Sequence, residues 1–348
     1  MLFNISHFSE DDRYTSAVGR VRGLESQLLP ASRLEHLLQS GSWHAILHGL
    51  RDTPYGTPLS EVQDIPGIQS ATRRVFADRA QMIRHLTAPD RDLIHALLGI
   101  YDFYNLMILV KTSLRQTTRR VPLSPFGLIP PETLEKMLQQ RRRLPEPLEP
   151  AWRNARQDFE HQPSLFRVEM ILWRGYLDYL RSECEQSGIP FLQALLRYHV
   201  DATAILFALR WRYWLEASVS AFGECVQVDW ALFPSGGRLA KDKIRALTEA
   251  DPSRIPQIFQ YTPYGAIFTR TSETLGKPET LWQLEVSLEN LLTEMCRLTR
   301  YTAFGIEPLV AYLWFARQEY KNLRLILMGT FRNINPETIK PRLRMAYG

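Results

Sequence analysis

The sequence predicts an all-α protein, and three observations point there. Glycine is scarce, at 18 residues of 348. No run of short, alternating strands is found. Seven segments carry apolar residues at three- and four-residue spacing, the period of one helix face. They are Thr15 to Leu28, Leu34 to Leu50, Asp92 to Lys111, Ser164 to Glu183, Leu192 to Ala217, Glu285 to Arg300 and Leu309 to Met328. The punctuation agrees. Ser32 and Glu35 have the spacing of a capping box. Asn335 before Pro336 reads as an N-cap with proline at the first helical position.

The composition is that of a globular chain with a sizeable core, with 45% hydrophobic and 23% charged residues. The net charge of +5, from 42 basic and 37 acidic residues, is a mild excess. It suits an acidic protein surface or anionic headgroups and does not by itself imply nucleic acid. Cys184, Cys225 and Cys296 are odd in number and far apart, which predicts free thiols and no zinc site. Glu10, Asp11 and Asp12 fall where a signal peptide would need an apolar stretch. With no apolar run near the roughly 18 residues of a membrane span, a cytoplasmic protein without a span is expected.

Internal similarity organises the chain. Leu28-Leu29-Pro30, Leu128-Ile129-Pro130 and Leu232-Phe233-Pro234 each place a proline after two apolar residues ahead of a predicted helix. Downstream of each lies an acidic residue, then a small or amide residue three positions on that opens an apolar stretch. The copies are Asp102 with Asn105, Asp201 with Ala204, and Glu319 with Asn322. The tetrapeptide Thr-Pro-Tyr-Gly occurs at 53–56 and 262–265, beginning 23 and 28 residues after its proline. Each copy is expected to stop a helix, with the glycine supplying a positive φ. Three degenerate helical units follow: 1–118, a divergent 119–225, and 226–348.

Chemistry-bearing patterns are few. His44 and His48 stand four apart, but without the glutamate of a metalloprotease helix they read as a helix face. Ser235-Gly236-Gly237-Arg238 lacks the ending of a phosphate loop and reads as a turn and N-cap. Asp11-Asp12 has no acidic counterpart downstream, and no nucleophile signature is found. No catalytic residue, cofactor or metal is expected. Asp102, Asn105, Glu319 and Asn322 are read as a buried hydrogen-bond network where helices cross. Leu323 and Leu325 are expected in the core. Arg119-Arg120 and Arg141-Arg142-Arg143 are either a solvated linker face or a contact for an acidic partner. The aromatic interleaving of a nucleic-acid site is absent.

Three blocks carry a resemblance: Ala17 to Leu29, Tyr101 to Lys111, and above all Gly305 to Arg344, GIEPLVAYLWFARQEYKNLRLILMGTFRNINPETIKPRLR. Together they resemble the C-subunit family of V/A-type ATPases, whose eukaryotic vacuolar equivalent is the d-subunit. The resemblance implies three related units around a pseudo-threefold axis, shaped as a funnel, with no catalysis of their own. It implies a place in the central stalk, between the D and F proteins of the shaft and the membrane proteolipid ring, so that the chain is peripheral to the membrane through the complex. In that setting Tyr55 and Tyr264 either ring one mouth of the funnel as exposed partner contacts or pack over their helix ends. The alternative reading is a standalone helical adaptor that binds nucleic acid or an acidic partner through its basic runs.

Overall fold

The computed structural model describes residues 8–114, 121–222 and 228–348, with side chains described outside 214–222. Among them no strand occurs. Sixteen α-helices follow in order: α1 (Thr15–Glu25), α2 (Ala31–Gln39), α3 (Trp43–Leu50), α4 (Gly56–Leu59), α5 (Ile65–Leu86), α6 (Arg91–Leu114), α7 (Pro131–Gln139), α8 (Leu148–His161), α9 (Leu165–Ser187), α10 (Pro190–Phe222), α11 (Lys241–Glu249), α12 (Ile255–Phe259), α13 (Gly265–Arg270), α14 (Leu281–Arg297), α15 (Glu307–Phe331) and α16 (Pro336–Ile339). They form two compact units. One joins the chain up to Pro89 with Gln260–Gly348, and the other is Asp90–Phe259.

In the first unit α15 is the central helix and packs against α1, α2, α3, α5, α14 and α16. Its apolar residues surround it, so Leu323, Ile326 and Leu327 are fully buried. Leu325 is only half-buried, at the edge of the same cluster. Helix α5 is absent from the seven periodic segments, although its buried stripe runs Ile68, Ala71, Thr72, Val75, Phe76, Arg79, Ala80, Ile83. Thr72 and Arg79 stand in that stripe and break the apolar period. Asp64 caps it, accepting from Gly67 N at 2.7 Å. The predicted segment Leu34 to Leu50 is two helices, divided where Gly41 takes φ +67°.

In the second unit α9 packs against α6, α8 and α10, and α10 against α11. Ser164 caps α9, and Gly188 ends it in the left-handed conformation. Helix α6, with the turn before it, is long and apolar enough to cross a membrane, contrary to the expectation from sequence. Its most apolar window is 67% buried within the protein. It also carries two buried polar side chains, Asp102 and Asn105.

Two expected caps differ in outcome. Asn335 accepts from Glu337 N at 2.9 Å, as predicted. The Ser32–Glu35 capping box does not form, because α2 begins two residues earlier, with Pro30 at its N-cap and no side-chain cap there. Glu35 instead pairs with Lys340 on the surface.

The two Thr-Pro-Tyr-Gly copies are one turn. In each, the threonine Oγ1 accepts from the tyrosine N, at 3.2 and 3.3 Å. The glycine N donates to the threonine carbonyl at 3.0 and 3.1 Å. Each tyrosine is the N-cap of the next helix, α4 or α13. Neither glycine needs a positive φ. At Gly56 the reason for glycine is close approach, since a Cβ would overlap the Arg51 carbonyl. Replacing Gly56 with alanine should therefore destabilise the first unit by about 1–3 kcal/mol, read as a lower midpoint in urea. An unchanged midpoint would contradict the close approach.

Candidate functional site: three remote helix caps and an exposed basic loop

Helices α2, α7 and α11 are each nine residues long. Their N-cap residues, Pro30, Pro130 and Ala240, offer no side-chain hydrogen bond to the helix they open. The loop amides leading into them are met by a carboxylate from a distant long helix. On α6, Asp102 accepts from Leu128 N at 2.8 Å and Ile129 N at 3.0 Å. On α10, Asp201 accepts from Arg238 N at 2.9 Å and Leu239 N at 3.0 Å. On α15, Glu319 accepts from Leu29 N. The residues served are the one or two just before the N-cap in all three cases. A negative charge at a helix N-terminus is also favoured by the helix dipole.

The order of service wraps around the chain. Asp102 holds the loop after its own helix, and Asp201 does the same. Glu319, on the last long helix, holds the first loop, 290 residues upstream.

Asn105 and Asn322 stand one turn beyond their acids and do a related task. Asn105 accepts from Ser124 N at 2.7 Å and donates to Ser124 O at 2.8 Å. Asn322 does the same to Arg344, at 2.7 and 2.8 Å. An amide side chain matches a peptide bond in both directions, which explains asparagine here. Ala204 has no such group. Asp102, Asn105, Glu319 and Asn322 are all buried, and each is hydrogen-bonded to the main chain of a loop or of the C-terminal segment.

The third proline marker is corrected. Leu232-Phe233-Pro234 does not lead directly into a helix; the equivalent loop is Arg238-Leu239-Ala240. Glycine supplies the missing signal. A Cβ on Gly127 would overlap Asp102 Oδ1, and one on Gly237 would overlap Asp201 Oδ1. Gly127-Leu-Ile-Pro130 and Gly237-Arg-Leu-Ala240 are thus the matching stretches. With this register the two Thr-Pro-Tyr-Gly turns begin 23 residues after Pro30 and 22 after Ala240.

Tyr55 and Tyr264 are corrected as well. Both are fully buried, so neither is an exposed loop tip. The Tyr55 hydroxyl donates to Glu319 Oε1 at 2.8 Å, and Arg79 Nη1 donates to the same oxygen. Burial first, then the Glu319 charge, pushes the Tyr55 phenol well above its ordinary range. Burial alone would ease the proton off Arg79, but the adjacent carboxylate outweighs it and holds the guanidinium charged. Sequence reasoning missed Arg79, which is 7% exposed. The only trace was an arginine inside an otherwise helical stripe.

A second charged cluster joins α14 and α15. Glu289 accepts from Lys321 Nζ through one oxygen and from Arg344 Nε, at 2.8 Å, through the other. Burial would raise the Glu289 carboxyl, but Lys321, Arg317 and Arg344 outweigh it and hold it at about 2. Burial, then Arg317, brings Lys321 down to about 8.

Of the basic runs, Arg119 and Arg120 lie outside the described residues. Arg141, Arg142 and Arg143 are all exposed, in the loop after α7, where Arg141 has φ +51°. Arg143 makes a surface pair with Glu146 at 3.2 Å. His44 and His48 are not buried on α3. Among the described residues no cluster of histidine, cysteine, aspartate or glutamate is placed to hold a metal.

Fold and site together define a class: an all-helical scaffold, among the described residues, in which the buried carboxylates Asp102, Asp201 and Glu319 hold the loops that open short helices. Residues 17–342 match the family model of the ATP synthase (C/AC39) subunit. The chain belongs to that family. It is 23% identical to the C-subunit of the V-type sodium ATPase of Enterococcus hirae, over 94% of this chain and 97% of the relative. It is 21% identical to the C-subunit of the A-type ATP synthase of Methanocaldococcus jannaschii, over 95% and 86%. It is 24% identical to the corresponding protein of Thermococcus onnurineus, over 94% and 89%.

The buried charges set two expectations. Glu319→Gln leaves Arg79 buried without its counter-charge and should cost about 3–5 kcal/mol, whereas Tyr55→Phe should cost about 1 kcal/mol. Denaturant titration of both variants measures this, and equal effects would contradict the assigned roles. The second concerns acid. The Glu289 carboxyl sits at about 2 in the fold against 4.5 unfolded. Its contribution is fully present above pH 4.5 and is lost as pH falls toward 2, by up to about 3 kcal/mol. Lys321, at about 8 against 10.5, acts in the other window, adding stability as pH rises from 8 to 10.5. Glu289→Gln should flatten the acid limb of a stability–pH curve; an unaltered limb would place the titration elsewhere.

Proposed function

We propose that this chain is the non-catalytic coupling component of a rotary V/A-type ATPase, set between the D and F proteins of the shaft and the membrane proteolipid ring. We further propose that it consists of three related units around a pseudo-threefold axis, forming a funnel. The carrying observation is the remote cap, used three times in an order that wraps from the last long helix to the first loop. A repeat whose last member serves its first is what a closed set of three requires. The expected seams near 118 and 225 each fall between an acid helix and the loop it holds. On this reading the chain is held at the membrane through the complex.

The mechanics suit the arrangement. Torque must pass from shaft to ring without the connecting piece yielding. Close-packed helices deform little. Loops fixed by buried charge-assisted hydrogen bonds add stiffness where a helical chain is otherwise weakest. The exposed Arg141–Arg143 loop offers positive charge to an acidic partner surface, where charge fixes register and assembly rate more than affinity.

A tagged copy expressed in its host should bring down both shaft and proteolipid-ring components. Recovery of neither overturns the proposal. Replacing Arg141, Arg142 and Arg143 with glutamate should weaken that recovery in a salt-dependent way while leaving the melting temperature unchanged. Recovery equal to wild type at low salt would remove this loop from the interface.

A further inference from the structure

Three connections lead into the long helices α6, α10 and α15, and they differ in length: residues 87–90, 188–189 and 298–306. The third is longer than joining two helices requires. It also carries three large apolar side chains at the surface. Leu298, Tyr301 and Phe304 are 42%, 91% and 43% exposed. A segment free to rearrange would cover such groups. This one is held by its main chain instead. Arg22 on α1 donates through Nη2 to the carbonyls of Thr299, at 2.6 Å, and Thr302, at 2.8 Å. Thr302 N donates to Thr299 O, and Gly305 N to Asp11 O, both at 3.0 Å.

Arg22 is itself positioned. Its Nη1 donates to both oxygens of Glu25, one turn later on the same helix, at 2.7 and 3.0 Å. Glu25 is buried and also accepts from Tyr347 Oη at 2.8 Å. Burial first, then that bond, pushes the Tyr347 phenol above its ordinary range, so it stays a donor. The Tyr347 ring packs edge-on against Phe315 of α15, with centroids 4.9 Å apart. The Arg300 guanidinium, from the turn itself, lies over that ring at 5.6 Å. The segment bearing Tyr347 is tied down along its backbone. Asn290 Oδ1 accepts from Met345 N at 2.8 Å. Arg297 Nη2 donates to Ala346 O at 2.7 Å and to Gly348 O at 3.1 Å.

We propose that residues 345–348 are a strap that, through Tyr347, Glu25 and Arg22, holds the turn 298–304 in the shape that presents Leu298, Tyr301 and Phe304 to solvent. With the strap docked, the chain offers an apolar surface already in shape, so nothing need be ordered when that surface is used. With the strap lifted, Glu25 loses one of its donors and no longer fixes Arg22. The turn then loses its hold on two carbonyls, and its apolar side chains fold back onto the protein. One turn thus has two states, and a segment distant in sequence selects between them.

Amide exchange and tyrosine nitration test this on the full chain and its variants. Tyr347→Phe keeps the ring contacts and removes the bond to Glu25. Exchange at Thr302 and Gly305 should speed up about tenfold, the size expected for one hydrogen bond to a carboxylate. Amides in the middle of α5 should keep their rates. Arg22→Lys keeps the charge but cannot span Glu25 and both carbonyls, and it should act alike. Tyr261, also 91% exposed, serves as the reference for nitration of Tyr301 by tetranitromethane. In a chain shortened after Arg344, the ratio of Tyr301 to Tyr261 nitration should fall below that of the full chain. Unchanged exchange at Thr302 in both point variants overturns the strap, and so does equal acceleration throughout α5. An unchanged nitration ratio in the shortened chain overturns it as well.

Discussion

A buried or half-buried amide with no partner costs more than most single contacts contribute, and this chain creates that problem three times. Short helices α2, α7 and α11 open after loops whose own residues supply no cap. Each is rescued by a carboxylate from a long helix elsewhere. That solution forces much of the rest. The long helices must carry an acid in their buried face. The loops must pass close enough to the carboxylate to exclude a side chain, hence Gly127 and Gly237. The first loop must be met by the last long helix, which ties the two ends of the chain into one compact unit.

Glu319 shows how the same device is adjusted. It serves a single amide where the aspartates serve two. Its remaining oxygen is taken by Tyr55 and Arg79, so a second turn and a second helix converge on the same group. A buried ion pair of this kind adds little net stability compared with apolar packing, but it penalises misplacement of any member heavily.

Much of this is legible in the sequence, and the gaps have physical causes. The long helices announce themselves by periodicity, and the acid–amide pairs by their recurrence at one helical turn. The two Thr-Pro-Tyr-Gly copies are one turn, but their tyrosines point inward, because aromatic residues in turns cover helix ends as readily as they meet solvent. Proline misplaces the third loop because it is not what the loops have in common. They share a main-chain amide held by a remote carboxylate, which any residue but proline provides, so Arg238-Leu239-Ala240 leaves no mark of its own. Helix α5 escapes because Arg79 interrupts its apolar stripe, and that arginine is comprehensible only once Glu319 is placed opposite it. The charge cluster around Glu289 depends on residues from two helices and the C-terminal segment, and no local pattern could assemble it.

The most direct test is native-state hydrogen exchange of five loop amides: Leu29, Leu128, Ile129, Arg238 and Leu239. They precede helices, where amides ordinarily exchange through small local fluctuations. If the carboxylates hold them, their protection should approach that of the central turns of α6, α10 and α15, and Glu319→Gln should release Leu29 selectively. Exchange of all five at rates typical of open loops would contradict the account.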